Sequence, residues 1–371
     1  MNHREILLNI SKIIERDSKA TTYKFALLRG VIDIIQDNSP YIVYMDDRVY
    51  IPTGLLVEKW MLYYYPIFES GEHIPQIYGS SQVAFRKQIE KMIDAYRLMG
   101  GFSGFYNDLK NKGIPQRLRS DFISLAKVMT RTITRMPMKY IGRSITDEYY
   151  SIFQFRPGRV PGSSEDMGMQ FLIDHFGEFS IPVTYFESFK ILGSFINGKD
   201  SIFMKWAEFS VNASGKRLSV EQVVNEVLKS PITERAIRES KQLYQTILQK
   251  EGKVHCVWTG KYISAFDVDH MIPFSVWRNN DLWNLLPSSA AINNKKRDKI
   301  PSIELIDTRK EMILHYWDLV FKEEPERFSR EIKLSLLGRH SFDQWYNTAI
   351  TQLKSSCDHL INSRGYEAFQ L

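Results

Sequence analysis

Apolar residues recur every three or four positions through most of this chain, which is the spacing of one face of an α-helix. In the N-terminal part the pattern predicts helices over residues 4–16, 22–37 and 55–68. Between the second and the third, two β-branched and aromatic runs, Tyr41–Tyr44 and Arg48–Ile51, predict a β-hairpin. The order helix, helix, hairpin, helix is compatible with a winged-helix-like DNA-binding domain and also with a plain helical domain.

Residues 109–146 are strongly basic, with nine lysines and arginines against the single acid Asp121. A helix that starts near Pro115 and ends at Pro137 would bury one apolar stripe. On a separate face it would carry what we call the basic ridge, formed at i, i+4 and i+8 by Lys127, Arg131 and Arg135. The ridge is either a DNA-backbone contact or a solvated helix face, and both interpretations stay open.

A run rich in proline and glycine, residues 156–164, predicts a flexible linker after a strand-like segment at Glu148–Phe155. Helical spacing returns near residues 168–176, 182–196, 199–210, 219–229, 232–251, 303–321, 324–337 and 341–364. We therefore predict a mainly α protein with a small α+β module. The predicted regions are a mainly helical 1–155 that could bind DNA, a helical 165–250, the module 251–305, and C-terminal helices 306–371 that pack on it.

Residues 253–301 are where helical spacing gives way to strand character. Two short runs, Val254–Trp258 and Tyr262–Val268, flank a Gly-containing turn and predict a second hairpin. The second run ends in the pair Asp269-His270, and a polar loop follows. A short helix is predicted from about Ser289 to Arg297.

This order of strand, strand, loop and helix, with Asp-His at a strand end and Asn on the helix, resembles the HNH, or ββα-metal, endonuclease motif. The closest resemblance is to the HNH domains of CRISPR effector nucleases and of bacterial restriction and defence endonucleases. The residues that carry it are Asp267, Asp269, His270, Ile272, Pro273, Ser275, Asn284, Asn293, Lys296 and Asp298. The resemblance covers about 50 of the 371 residues, and it implies an embedded HNH nuclease fold that hydrolyses phosphodiester bonds.

Each residue type suits a role that the resemblance implies. His270 would be the general base, because a neutral imidazole accepts a proton near pH 7. Asn284 would hold the loop and orient His270. Asp269 and Asn293 would hold a divalent ion through hard oxygen atoms, which favours Mg²⁺, or Mn²⁺, over softer metals. Four basic residues near the metal ligand would contact phosphate: Lys295, Lys296, Arg297 and Lys299.

Cysteine usage and composition limit the other possibilities. The two cysteines, Cys256 and Cys357, cannot form a four-thiolate site, so we expect no structural zinc, and they fit a reducing cytoplasm. A net charge of +6 favours a polyanionic partner, here DNA. We expect no signal peptide, because the N-terminus lacks a long apolar stretch. The sequence contains no run of about 18 uncharged apolar residues, so we expect no membrane span.

Two classes of function follow. The first is a metal-dependent DNA endonuclease of the restriction or anti-phage defence kind, acting alone, as a homodimer or with a partner protein. The second is a non-catalytic DNA-binding or assembly subunit that keeps an HNH fold. The presence of Asp269, His270, Asn284 and Asn293 together favours the enzyme.

Overall fold

The computed structural model describes residues 3–17, 19–79, 82–141, 151–162, 164, 167–196, 202–227, 229–232 and 237–371. The chain forms two units. The first comprises Met1–Gln36 and Tyr41–Pro231, and the second comprises Asp37–Pro40 and Ile232–Leu371. The fold is mainly α with small sheets and a small α+β module, so the predicted fold class is confirmed.

Helices make up most of the described first unit, and each covers a buried apolar face. They are α1 (His3–Arg16), α2 (Tyr23–Gln36), α3 (Thr53–Glu69), α4 (Arg86–Tyr96), α5 (Gly101–Asn107), α6 (Arg119–Arg135), α7 (Pro137–Tyr140), α8 (Met169–His175), α9 (Val183–Ile196), α10 (Ile202–Ala213) and α11 (Val220–Val227). Trp60 and Tyr64 of α3 and Trp206 of α10 are fully buried and pack together in this core.

The strands described in the first unit form one antiparallel sheet. They are β1 (Val43–Met45), β2 (Arg48–Pro52), β3 (Gln154–Arg156) and β4 (Glu178–Pro182), in the order β1-β2-β4-β3. The predicted N-terminal hairpin is therefore present as β1 and β2, and β4 pairs along the other edge of β2.

The chain is not divided at residues 156–164, where the proline- and glycine-rich run predicted a linker. The strands on either side of that run, β3 and β4, pair with each other, so main-chain hydrogen bonds hold both flanks in one sheet. A local composition rich in Pro and Gly predicts a loop, but it does not reveal that the flanking strands are partners. Residues 148–150 of the predicted strand Glu148–Phe155 lie outside the described residues.

Helix α6 has the two faces that the sequence predicted. Its apolar stripe, which includes Phe122, Leu125 and Met129, is buried, and the basic ridge is exposed. A short 3₁₀ turn after Pro115 precedes the helix, and Pro137 begins the next helix.

The second unit surrounds a short ββα motif with longer helices. In chain order its elements are α12 (Arg238–Glu251), β5 (Val254–His255), β6 (Tyr262–Ile263), β7 (Asp267–His270), α13 (Phe274–Trp277), β8 (Leu285–Ser288), α14 (Ala290–Lys296), β9 (Ile300–Pro301), α15 (Ile303–Glu323), α16 (Pro325–Ile332), α17 (Trp345–Asp358) and β10 (Ala368–Phe369). All of these elements contribute to, or pack around, one core that contains Trp258, Trp283 and Trp317.

The strand pairing in this unit differs from the predicted hairpin. The run Tyr262–Val268 is not one strand: β6 pairs with β5 over two residues, whereas β7 pairs antiparallel with β8. Strand β8 contains Pro287, a residue type that is unusual within a strand. Pro287 lies opposite Val268, and its carbonyl accepts a hydrogen bond from Val257 N at 2.9 Å.

Long helices complete the core that the motif is too small to form alone. The indole of Trp317 in α15 donates to the carbonyl of Trp283 at 2.8 Å, and Tyr244 of α12 donates to the carbonyl of Leu285 at 2.8 Å. Tyr316 donates to the carbonyl of His255 at 2.6 Å and accepts from its backbone N–H at 2.8 Å. Within the described part of the chain, no helix has the length and apolarity needed to cross a bilayer.

The close packing of α3 on α8 gives a test of the first unit. A Cβ added to Gly54 would lie 2.1 Å from the carbonyl oxygen of Leu172, which is backbone and cannot move aside alone. Gly54→Ala should therefore lower the free energy of unfolding by about 1–3 kcal/mol or more. Gly71→Ala is the matched control, since a Cβ there meets no atom within 4 Å. Thermal unfolding that is equal for the two variants would contradict this packing, and hydrogen exchange should place the loss of protection in α3 and α8.

Candidate active site

The β7–β8 ladder places Asp269 and His270 at the end of a strand. Asp269 lies opposite Leu286 and His270 opposite Leu285, and the ladder ends there with Met271 N donating to the carbonyl of Asn284 at 2.7 Å. Because side chains alternate along a strand, the carboxylate and the imidazole leave the backbone on opposite faces. Both residues are buried, with 2% and 1% of their surface exposed.

Two side chains from different elements hold the Asp269 carboxylate. The indole Nε1 of Trp258 donates to Oδ2 at 2.7 Å, and the ammonium Nζ of Lys296 lies 3.2 Å from Oδ1. The same ammonium donates to the carbonyl oxygen of His270 at 2.6 Å and lies 5.8 Å from the Trp258 ring centroid. Lys296 therefore connects the last turn of α14 to both residues at the end of β7.

The four basic residues predicted to contact phosphate do not share one surface. Lys295 and Arg297 are exposed. Lys299 is half-buried and forms an ion pair with Glu367. Lys296 is fully buried on Asp269 and so lies inside the module, because residue 296 is on the inward face of α14.

Asn284 closes the loop that follows β7. Its Oδ1 accepts from Ile272 N at 2.7 Å, and its Nδ2 donates to the carbonyls of Ile272 at 3.0 Å and Asn279 at 3.4 Å. These bonds join both ends of the segment between residues 272 and 284. The Asn284 amide is therefore part of the hydrogen-bonded framework of the loop.

The His270 imidazole contacts two residues of this loop. Nε2 lies 3.0 Å from Oδ1 of Asn280, and the Phe274 ring packs edge-on with its centroid 5.6 Å from that of His270. The sequence reasoning missed Asn280, because it lies in a polar run of Asn and Asp that reads as an ordinary loop. Nothing in the sequence pattern singles out Trp258 either, although its indole donates to Asp269.

An acidic pair fixes the loop to the C-terminal helices. Asp281 Oδ2 accepts from Ser335 Oγ at 2.9 Å, and Glu331 Oε2 of α16 accepts from Leu282 N at 2.6 Å. Arg327 donates to Glu331 Oε1 at 2.7 Å. Burial, followed by the nearby charge of Asp281, raises the pKa of Glu331 to about 8.

The side chains near Asp269 suit a hard divalent cation. Asn293 precedes Lys296 by three residues on α14, so its amide lies on the same helical face as the ammonium that reaches Asp269. Among the described residues no cluster of three or more His, Cys, Asp or Glu could hold a metal. One carboxylate and one amide, with water completing the coordination, would suit a hard divalent cation.

The two cysteines and the basic ridge are the remaining residues singled out from the sequence. Cys256 and Cys357 are both buried, and the Cys256 thiol lies 3.6 Å from Ser288 Oγ. The basic ridge belongs to α6 of the first unit, whereas Asp269, His270, Asn284 and Asn293 all belong to the second.

Comparisons with known proteins match the two units separately. Residues 3–227 match a family described as a domain of unknown function, DUF8808, and residues 256–302 match the HNH endonuclease family. Over 120 residues the chain is 28% identical to the CRISPR-associated endonuclease Cas9 of Listeria innocua serovar 6a. That stretch covers 30% of this chain and 8% of the relative. No solved structure matches the chain. The HNH resemblance read from the sequence is confirmed.

The buried ion pair gives a direct test of the site geometry. Lys296→Met removes the buried cation beside the Asp269 carboxylate, so it should lower the free energy of unfolding by about 3–5 kcal/mol in the absence of divalent ions. Lys295→Met, one residue away but exposed, should change it by no more than about 0.5 kcal/mol. Denaturant unfolding of the two variants measures the difference. Equal stabilities would show that Lys296 does not balance a buried charge.

Proposed function

We propose that this chain, which belongs to the DUF8808 family and carries an HNH endonuclease domain, is a metal-dependent enzyme that hydrolyses phosphodiester bonds in DNA. The observation that carries the proposal is the adjacency of Asp269 and His270 at the end of β7. Trp258 and Lys296 hold the Asp269 carboxylate, and the His270 imidazole contacts Asn280.

In the proposed mechanism each side chain has one task. His270 removes a proton from the attacking water, for which a neutral imidazole is suited near pH 7. Asp269 and Asn293 would hold a divalent cation, Mg²⁺ or Mn²⁺, which when bound neutralises charge on the phosphate and on the leaving oxygen. Asn284 keeps the loop closed so that His270 stays in place.

Backbone strain at Arg297 supports a role for its side chain. Arg297 adopts φ 50° and ψ −116°, close to the conformation of Gly338 at φ 59° and ψ −123°. Glycine reaches this region freely, whereas any other residue there costs about 1–3 kcal/mol. Arg297 follows the predicted metal ligand Asn293 by one helical turn. A guanidinium that contacts phosphate would offset the cost of placing an arginine in a conformation that favours glycine. Lys295, which is also exposed, and Lys299 are the neighbouring candidates.

We further propose a role in restriction or anti-phage defence, in line with the similarity to a CRISPR-associated endonuclease. The chain spans 8% of that relative, so the proposal concerns the nuclease chemistry and not the relative's other activities. One HNH site cuts one strand. A double-strand break would then require a homodimer or two successive nicks.

Catalysis is tested by incubating the purified chain with supercoiled plasmid in Mg²⁺ or Mn²⁺. His270→Ala should slow nicking by about 10²–10⁴-fold, because general-base catalysis contributes that much. Asp269→Ala should weaken the metal response more than Asn293→Ala, since it also removes a charge. His315→Ala, an exposed histidine on α15, is the matched control and should nick like the wild type.

Three results would count against this mechanism. Nicking by the His270→Ala variant within a few-fold of wild type would remove His270 as the base. Activity that persists in excess chelator would exclude the metal mechanism. A wild-type chain that binds DNA but leaves it intact with every divalent ion would instead support the non-catalytic DNA-binding subunit.

The basic ridge is tested by salt dependence. Converting Lys127, Arg131 and Arg135 to Gln should flatten the slope of log affinity against log salt by about two to three units, since each phosphate contact contributes nearly one. The loss should be the same for all DNA sequences, because phosphate contacts carry no base information. Fluorescence anisotropy in Ca²⁺ measures binding, with Ca²⁺ chosen to limit cleavage.

A second triple variant controls for total charge. It replaces by Gln three basic residues of the first unit that are paired with acids: Lys91 with Asp121, Arg97 with Asp94, and Lys205 with Glu208. Its salt slope should change much less, because those charges are already balanced. Equal salt slopes for the two variants would show that the basic ridge is a solvated helix face and not a DNA contact.

A further inference from the structure

We infer that Leu98 is a wedge that enters the base stack of DNA bound along the basic ridge and bends the duplex. The inference rests on the proposed function, in which the substrate is DNA. The observation is that Leu98 is 96% exposed, whereas Tyr262, the next most exposed large hydrophobic side chain of the described residues, is 59% exposed. Packing does not explain this leucine, because its apolar surface stays in water.

The turn that carries Leu98, between α4 and α5, is held on both sides. Tyr96 at the end of α4 and Phe102 in α5 are buried. Within the turn, Met99 N donates to the carbonyl of Tyr96 at 2.8 Å. A Cβ on Gly104 would lie 2.0 Å from the Met99 carbonyl oxygen, so α5 packs directly against the turn. The leucine side chain is therefore presented to solvent on a fixed backbone.

The same turn lies beside the start of α6, the helix that carries the basic ridge. Arg117, in the short 3₁₀ turn before α6, donates from Nη2 to Sδ of Met99 at 2.9 Å. Lys91 of α4 forms an ion pair with Asp121 of α6 at 3.2 Å. At 1.5 Å per residue α6 is about 25 Å long, which is the length of about seven base pairs. The turn is therefore placed at one end of the ridge.

The charge around this turn favours nucleic acid as the partner. Residues 109–146 contain nine lysines and arginines against one acid, Asp121. That acid and Asp94, which precedes the turn, are each paired with a cation. Arg117 is exposed and forms no ion pair within the described part of the chain. A polyanion is attracted to such a surface, and DNA-bending proteins insert leucine between base steps beside cations of this kind.

Insertion of Leu98 has two physical consequences. It removes apolar surface from water and partly unstacks one base step, which bends the duplex by about 20–90°. Pyrimidine–purine steps unstack most easily, so binding should favour sites that contain a TA or CA step. The basic ridge contributes affinity through phosphates without reading sequence. The wedge would add a preference for deformable DNA.

The first experiment measures bending in Ca²⁺, by fluorescence resonance energy transfer between the ends of a labelled duplex with a central TA step. The wild type should shorten the end-to-end distance of the duplex. Leu98→Ala should leave the duplex straight and weaken binding by about tenfold, because the apolar contact is lost. Its salt slope should equal that of the wild type, since no charge is removed. Leu98→Met should bend DNA like the wild type, because methionine also serves as a wedge.

Leu8→Ala is the matched control, because it truncates another exposed leucine of the first unit, on α1. It should preserve the bend and the affinity. Thermal unfolding of Leu98→Ala should match the wild type, since substitutions at exposed positions change stability little. The inference is overturned if the wild type binds the duplex without bending it, or if Leu98→Ala still bends it. A lowered unfolding temperature for Leu98→Ala would also overturn it, by assigning the side chain to the fold.

The second experiment measures nicking of supercoiled plasmid in Mg²⁺. Leu98→Ala should raise KM by about tenfold and leave kcat nearly unchanged, as expected for a residue that contributes to substrate binding alone. A wild-type chain that bends DNA but does not nick it would overturn the proposed nuclease and leave the wedge in place. A wild-type chain that nicks DNA without bending it would overturn the wedge and leave the proposed function in place.

Discussion

The buried pair of Asp269 and Lys296 is the interaction on which the nuclease module depends. A carboxylate with 2% exposure is costly without a compensating charge, and the ammonium of Lys296 lies 3.2 Å from it. That requirement joins the last turn of α14 to the end of β7. It also brings Asn293, one turn earlier on α14, to the side of the helix that faces β7. The position of α14 relative to β7 thus follows from pairing the buried Asp269 carboxylate with the Lys296 ammonium.

Trp258 extends the same constraint to the preceding hairpin. Its indole donates to Asp269, and its ring lies beside the Lys296 ammonium and the Phe369 ring. Phe369 belongs to β10, which pairs with β9 directly after the ββα motif. The hairpin and the C-terminal strand β10 are thereby connected through one tryptophan. A motif of this size buries too little surface alone, so its order depends on the helices packed around it.

The loop between β7 and β8 shows how those helices also serve the site. Asn284 ties the loop to Ile272, Asp281 accepts from Ser335, and Glu331 accepts from Leu282. Within this framework Asn280 meets His270. Residues of α16 and of the turn after it, far along the chain from the HNH match, therefore support the loop that contacts the proposed base.

The sequence by itself determined much of this protein. Helical spacing located most of the helices, although not α4 and α5, because burial on one side repeats every three or four residues. It also predicted the two faces of α6. The identity and order of Asp269, His270, Asn284 and Asn293 identified the HNH module, because its chemistry requires those residue types. Tertiary structure decided the rest. It decided the partner of β7, the pairing of β3 with β4, the inward position of Lys296 and the contact between Asn280 and His270. In each case the two residues in contact are ten or more positions apart in the sequence. Such pairings depend on which surfaces pack together in the folded chain, and the local sequence pattern does not contain that information.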